Sequence, residues 1–600
     1  MKKLVVLAMA VVAVVAAAFV NAGPAEQDAQ AFLAQYNKTF QKLYYESNVA
    51  EWRSNTRIVE GDTMNAYHTR MANEALAAFT GSEKNIETAR ALLGKKDQLD
   101  KLTVKQLEKV LYMAANNPQT VPNLVKERIK AEAVQVEKLY GYDFQIEGRS
   151  VSTNDIDNIL KSESDLDRRL EAWEASKKVG VGLKDGLLEL QRLRNATVQA
   201  LGYDDYFAYQ VSDYGMTSQE MLDLTHKIVH ELRPLYRELH TYVRYMLAER
   251  YGAEEVPDLI PAHWLPNRWG QDWSPLISVE GLDLDGELAE KSPEWLVEQA
   301  ERFYVSLGMG KLPESFWTGS DLYPLPPGVG YKKNNHASAW HMDLEKDVRS
   351  LMSVIPNAEW YETTHHELGH IYYFLQYSNP DVPLILREGA NRAYHEGIGS
   401  LMGLAAMQKP FLQHIGVFPE GAKTDKIQTL LKEALNYVIF IPWSAGVMTD
   451  FEYALYAEPL PADQLNQRWW ELKRKYQGIA PPAPRSEDWC DPASKTHISD
   501  DAAQYYDYAL SYVLLFQFHD YIARNILKQD PHATDYYGNE DVGKFLSSVM
   551  KPGGSRDWRE LMRETVGEDL SAQAMLHYFD PLLEYLKEQN KGRTYTLPNL

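Results

Sequence analysis

Along most of the chain, apolar side chains recur every three or four residues, the spacing that lines one face of an α-helix. Phe32-Leu33, Tyr36, Phe40 and Leu43-Tyr44 open the series. Comparable stripes run through residues 64–80, 104–115, 121–139, 165–201 and 218–251, with Gly and Pro mostly at the joints. The pattern predicts long helices with polar outer faces, able to form a wall or cover. Residues 256–273 break the rhythm with three prolines and with Trp264, Trp269 and Trp273. Rings of that area favour a place in the core, although beside Gln271 they would also suit the lining of a cleft. A loop rich in Pro and Gly spans residues 312–330. Alternation over 335–340 and 347–354 then predicts a short hairpin, the one strand element expected. Helical spacing returns to Tyr377, ahead of Pro380, and again over 422–456 and 461–476. Beyond a Pro-rich connector at 480–492, an apolar helix runs through Phe516-Gln517-Phe518-His519, and helix continues to about residue 590. No internal repeat is visible.

Composition narrows the classes. A chain of 600 residues, 45% hydrophobic and 11% aromatic, can bury a large core. It needs to, because Cys490 is the only cysteine and no intrachain disulfide can form. The formal net charge of −22 argues against nucleic acid or an anionic membrane as partner. Lys2 and Lys3 precede an unbroken apolar run from Leu4 to Val20, and Val20-Asn21-Ala22 offers small residues for cleavage. Residues 1–22 therefore read as a signal peptide, with a secreted or periplasmic location, and length alone suggests two or more domains in the rest. No other stretch is apolar enough to cross a membrane. Asn37-Lys38-Thr39 and Asn195-Ala196-Thr197 match glycosylation acceptors.

The chemistry concentrates in Thr363-Thr364-His365-His366-Glu367-Leu368-Gly369-His370. On a helix, His366 and His370 share one face and can converge on one ion, while Glu367 stands a step round, placed to act on water rather than to ligate. Two histidines, a separate base and an open coordination position are what zinc-assisted peptide hydrolysis requires. His226 and His230 have the same spacing, but Lys227 stands where a base would be needed, so that pair reads as structural or solvated. A third ligand is wanted, and Glu388 and Glu396 both follow on the next predicted helix. Spacing alone does not choose between them. Gly397 and Gly399, costly in a helix interior, point to close backbone approach beside Glu396.

Several blocks in order resemble the angiotensin-converting enzyme family of zinc peptidyl-dipeptidases. They are His336-Ala337-Ser338-Ala339-Trp340, His365 to His370, Arg387-Glu388-Gly389-Ala390-Asn391 with His395-Glu396, Trp469-Trp470 with Lys475-Tyr476-Gln477-Gly478, and Phe516 to His519. The resemblance covers nearly the whole chain as one catalytic unit, and so implies a single catalytic domain of two subdomains over 23–600. It implies a mainly α, two-lobed helical ellipsoid with a deep central channel, a helical lid and a very small β element near the zinc helix. It implies Glu396 as third ligand, one zinc per chain, Glu367 as the base and proton carrier, and attack by zinc-bound water. His336 and the Ala337 backbone would hold substrate near the scissile bond, His497 and Tyr508 would sit on the carbonyl, and Tyr508 would stabilise the oxyanion. Gln271, Lys495 and Tyr505 would grip the C-terminal carboxylate of an oligopeptide. An arginine at the Gln271 position marks the carboxypeptidase branch, so glutamine favours release of a dipeptide. Other readings of the same residues are a zinc carboxypeptidase, an oligopeptidase of other specificity, or a weakly active zinc- or peptide-binding homologue.

The chain also departs from that pattern. Ser400 stands where the family commonly places an aspartate behind a zinc histidine, and the stretch between His497 and Tyr505 is one residue longer. Asp507, Gln210 and Lys473 occupy positions of arginines that hold chloride in animal members, and the cysteine pairs are absent. Weak or no chloride activation is expected.

Overall fold

Proline at the first turn of a helix forfeits no hydrogen bond, and Pro24 opens helix α1 (Pro24–Thr56) in this way. The structure is a computed structural model that describes residues 23–59, 61–279, 283–458, 460–598 and 600. The expected signal segment, residues 1–22, lies outside the described residues. α1 buries Leu33, Tyr36 and Phe40. Its neighbour α2 (Thr63–Thr80) buries only Thr80 and leaves Met64, Tyr67 and Met71 exposed. With residues 101–115 and 382–386 these helices close a small core around Leu33, Phe40, Leu107, Val110 and Leu386, distinct from the large core of the remaining chain. α1 also contacts the predicted hairpin, at the loop before it and at the turn between its strands. Gln41 Nε2 donates to the Asp343 carbonyl (2.9 Å), and the Asn334 N–H donates to the Asn55 carbonyl (2.8 Å).

The protein is mainly α-helical. α3 (Leu166–Gln199) and α4 (Ser218–Arg250) end within two residues of the stripes that predict them. α4 starts at a capping box formed by Thr217 and Glu220. Among the described residues the strand content is three short pairs. β1 (Phe144–Ile146) runs antiparallel to β2 (Arg149–Val151), β3 (Ile260–Pro261) runs parallel to β6 (Ile479–Ala480), and β4 (Ser338–His341) runs antiparallel to β5 (Val348–Leu351). Only β4–β5 was expected. Strands of two or three residues are too short for alternation to show.

The site is built around three helices, with α6 (Arg392–Ala406) packed between α5 (Ala358–Tyr377) and α8 (Tyr506–Tyr521). Asn357 and Asn391 cap α5 and α6 by accepting from the N–H of Trp360 and Tyr394. Glycines permit the crossings. A Cβ on Gly369 would lie 2.9 Å from the Gly399 Cα, and one on Gly397 would lie 3.2 Å from the Ser511 carbonyl oxygen on α8. The close approach read from Gly397 and Gly399 is thus observed. Behind α5, Tyr304 stacks on Tyr372 and its hydroxyl donates to the His365 carbonyl (2.6 Å). The helix expected over 422–456 is not continuous. α7 (Lys426–Ile441) meets Pro442, which has no N–H to extend the ladder, and passes into a π-helical turn (Pro442–Met448) before Thr449–Tyr456 resumes. The two sequons lie inside helices. The Asn195 side chain bonds the Tyr456 carbonyl and the Tyr206 N–H, which occupies it as an acceptor for sugar.

Candidate metal centre and active-site cleft

α5 projects His366 and His370 from one face, one turn apart, and their Nε2 atoms are 3.0 Å from each other. The crossing at Gly369 and Gly399 brings α6 close enough for Glu396 Oε2 to lie 3.7 Å from His366 Nε2. A Cβ on Gly399 would come within 3.0 Å of the His366 ring, so that imidazole needs the glycine. The three side chains form a potential metal group with ligand atoms within 4.8 Å of one another. Glu388, the other candidate by spacing, is engaged elsewhere: its carboxylate pairs with Lys109 Nζ at 2.8 Å. Of the two candidates left open by spacing, Glu396 is the one that the structure brings beside His366 and His370. The comparison pair behaves as read, since His226 is exposed and bonds Asp450 at 2.6 Å, and His230 is exposed.

Burial sets the charge states here. It pushes the His366 imidazole down to about 4, with His370 adding to the effect, and it lowers His370 as well. Burial alone would raise Glu396, but His370, His366 and Arg392 hold it below its ordinary value. Burial raises Glu367 to about 8, helped by the Glu396 charge. Glu367 is only 7% exposed, and its Oε2 has no hydrogen-bond partner. The centre opens onto a cavity of about 1000 Å³ that is also lined by His336, Ala337, Arg392 and Tyr508. His336 and Ala337 enter it just before β4, where Asn334 Oδ1 accepts from the His336 N–H at 2.9 Å.

A family profile described as Peptidase_M2, angiotensin-converting enzyme, matches residues 24–597. The chain belongs to the angiotensin-converting enzyme family. It is 31% identical to the angiotensin-converting enzyme of Oryctolagus cuniculus over 593 residues, 94% of this chain and 43% of that protein. It is 31% identical to the proteins of the same name from Mesocricetus auratus and Mus musculus, over 95% of this chain and 44% of each. The chain therefore spans less than half the length of these curated relatives.

In this angiotensin-converting enzyme family member, the remaining expected residues gather around Tyr505 and Tyr508; of these only Tyr508 lines the cavity. The Tyr505 and Tyr508 ring centroids are 5.0 Å apart, and His497 lies 4.9 Å from Tyr505 and 5.9 Å from Tyr508. Tyr505 OH (3.3 Å) and Lys495 Nζ (3.2 Å) both donate to Gln271 Oε1. Between His497 and Tyr505, Ala503 has a left-handed backbone (φ 61°), and its N–H donates to Glu452 Oε1 at 2.6 Å. Lys495 is 3% exposed, and no carboxylate among the described residues is within ion-pair contact. Its ammonium instead lies over the rings of Trp269 (4.4 Å) and Tyr505 (4.9 Å). Burial pulls it down to about 7. The tryptophan cluster divides accordingly: Trp264 and Trp273 are core, and Trp269 faces the lysine.

Two residues without an expected role prove to be close to the centre. His395 Nδ1 lies 2.7 Å from His370 Nδ1, while Ser400 makes no hydrogen bond to either imidazole among the described residues. Arg392 joins α6 to the segments bearing His497 and Tyr508. His395 stands within the quoted block and was legible as a residue type; nothing in the spacing distinguishes Arg392.

Proposed function

We propose that the protein is an exported zinc metallopeptidase that releases dipeptides from the free C-terminus of oligopeptides. The observation that carries this reading is Lys495: a buried ammonium beside Gln271 and Tyr505, without a carboxylate of its own, is a receptor waiting for one. Tyr505 links it to Tyr508 at the cavity wall, which fits a chain end that extends beyond the metal centre.

The donor set fits zinc. Tetrahedral zinc with bonds of about 2.0–2.1 Å needs ligand atoms roughly 3.3 Å apart, which matches the observed 3.0 and 3.7 Å. Neutral imidazoles at His366 and His370 and an ionised Glu396 are the ligand forms required. When bound there, zinc supplies Lewis acidity toward a carbonyl oxygen and lowers the pKa of water. Glu367 takes the proton from the attacking water and delivers it to the leaving amine, a task suited to a carboxyl that burial makes more basic than usual. Tyr508 donates its hydroxyl hydrogen to the developing oxyanion, and His497 supports the same carbonyl. His336 and the Ala337 backbone hold the peptide at the cleft wall. Lys495, Gln271 and Tyr505 hold its terminal carboxylate.

Residues 23–600 act as one catalytic domain in this reading, and the Lys2-Lys3 start with the Leu4–Val20 run supports export. Comparing a peptide as free acid with the same peptide C-terminally amidated tests the reading. Rapid cleavage of the acid and loss of most activity on the amide are expected. Equal rates on both would point to an oligopeptidase instead.

A further inference from the structure

We propose that Arg392 is a positioning residue: its guanidinium ties the loop after His497 and the first turn of α8 to the start of α6, and so sets where Tyr508 stands relative to His366, His370 and Glu396. The proposal rests on the reading of Tyr508 as the donor to the carbonyl oxygen.

Arg392 is the first residue of α6, one turn before Glu396. A cation is unfavourable there, at the positive end of the helix dipole, so its placement has to be stabilised by something else. Two carboxylates do so. Arg392 Nη1 and Nη2 donate to Asp501 Oδ1 and Oδ2 at 3.0 and 2.7 Å, a bidentate pair, and Nε lies 3.4 Å from Asp507 Oδ2. Asp507 is 1% exposed, its Oδ1 accepts from the Tyr214 hydroxyl, and its Oδ2 has no hydrogen-bond donor. The Tyr214 oxygen in turn accepts from the Ala393 N–H at 3.1 Å, which closes a ring back to the residue after Arg392.

The partners lie on the segments that carry the other polar groups of the cleft. Asp501 follows His497 by four residues, and its N–H donates to the His497 carbonyl at 3.0 Å. Gln504 Nε2 donates to Asp501 Oδ1 at 3.1 Å, just ahead of Tyr505. Asp507 is the immediate neighbour of Tyr508. One side chain thus joins three segments that bear Glu396, His497 and Tyr508. The fork and Nε are already turned to Asp501 and Asp507, so Arg392 has little left to offer a substrate although it lines the cavity.

The test compares Arg392→Met, Arg392→Lys, Asp501→Asn and the double variant Arg392→Met/Asp501→Asn with the wild type, all zinc-loaded. Arg392→Met is expected to lower kcat by about 10- to 100-fold, as a displacement near 1 Å does, with KM within about threefold. Arg392→Lys should recover part of the loss, and the double variant should be no slower than Arg392→Met, because both changes break one contact. Asp501→Asn carries the same kcat test if Arg392→Met fails to fold. A raised KM at unchanged kcat would overturn the proposal by making Arg392 a substrate contact, and additive losses would overturn it too. A crystal structure of Arg392→Met is the readout independent of turnover. A shifted Tyr508 hydroxyl is expected, and an unmoved one would overturn the proposal. Absence of cleavage by the wild type would count against the peptidase reading alone.

Discussion

His370 Nδ1 and His395 Nδ1 face each other at 2.7 Å, and a contact that short needs one proton between them. If His370 Nε2 is to face a metal, its Nδ1 carries the hydrogen and His395 accepts it. His395 stacks on Tyr373 at 4.6 Å, which fixes the plane of the acceptor. It therefore takes the supporting place that the sequence offered to Ser400. Partners of this kind are worth roughly 10- to 100-fold in metal affinity. Replacing His395 with Ala should raise the zinc dissociation constant by that factor in a chelator competition, while Ser400→Ala should leave it within about twofold. The reverse ranking would contradict the assignment.

Lys495 and Gln271 carry the proposed specificity. Lys495→Met should raise KM for a free-acid peptide by roughly two orders of magnitude, the scale of losing a charge-assisted pair, and change the already slow amide much less. Gln271→Arg adds a second cation beside Lys495 and should shift products from dipeptides toward single amino acids, read by mass spectrometry. Equal losses on acid and amide in the first variant would show that Lys495 is structural.

The NaCl response should be flat. Asp507, at a position where an arginine was the alternative, carries a carboxyl group already bonded by Tyr214 and in contact with Arg392. Lys473 is turned to the Trp269 carbonyl at 2.7 Å and to Gln477 Oε1 at 2.6 Å. Initial rates at constant ionic strength, with chloride exchanged for a bulkier anion, should agree within about twofold. A steep rise with chloride would contradict this.

Acid should weaken the fold through histidines remote from the cleft. His240 bonds the Gly478 carbonyl at 2.9 Å, and His519 lies between the Tyr536 hydroxyl and the Pro531 carbonyl, both at 2.7 Å. Burial pushes each down to about 4. A depressed folded pKa means that the stability they contribute is full above about pH 6.5 and is lost as pH falls toward 4. Each is worth on the order of 3 kcal/mol across that window. Urea unfolding near pH 7 and near pH 4.5 should show the loss, and His519→Gln should reduce it; a stability independent of pH over this range would contradict the account.

What the sequence disclosed follows the reach of each interaction. Helices such as α3 and α4 were legible because their burial repeats every turn, and His366, Glu367 and His370 because one turn contains them. Gly397 and Gly399 signalled a crossing, but not that Gly369 and Ser511 stand opposite. The third ligand stayed open because what separates Glu388 from Glu396 is Lys109, which is almost 280 residues away in the chain. Arg392 was not legible because Asp501 and Asp507 are more than 100 residues downstream. β1–β2 and β3–β6 were missed for want of length, and the π-helical turn at Pro442 because the apolar stripe continues through it.

The most direct test of the whole account is to identify the products made from an N-blocked tripeptide with a free C-terminus by zinc-replete protein, beside Glu367→Gln with its zinc content measured. The account predicts the blocked residue and an intact dipeptide from the wild type, and no turnover from a Glu367→Gln variant that still holds one zinc. Release of a single C-terminal amino acid, or full activity in Glu367→Gln, would contradict it.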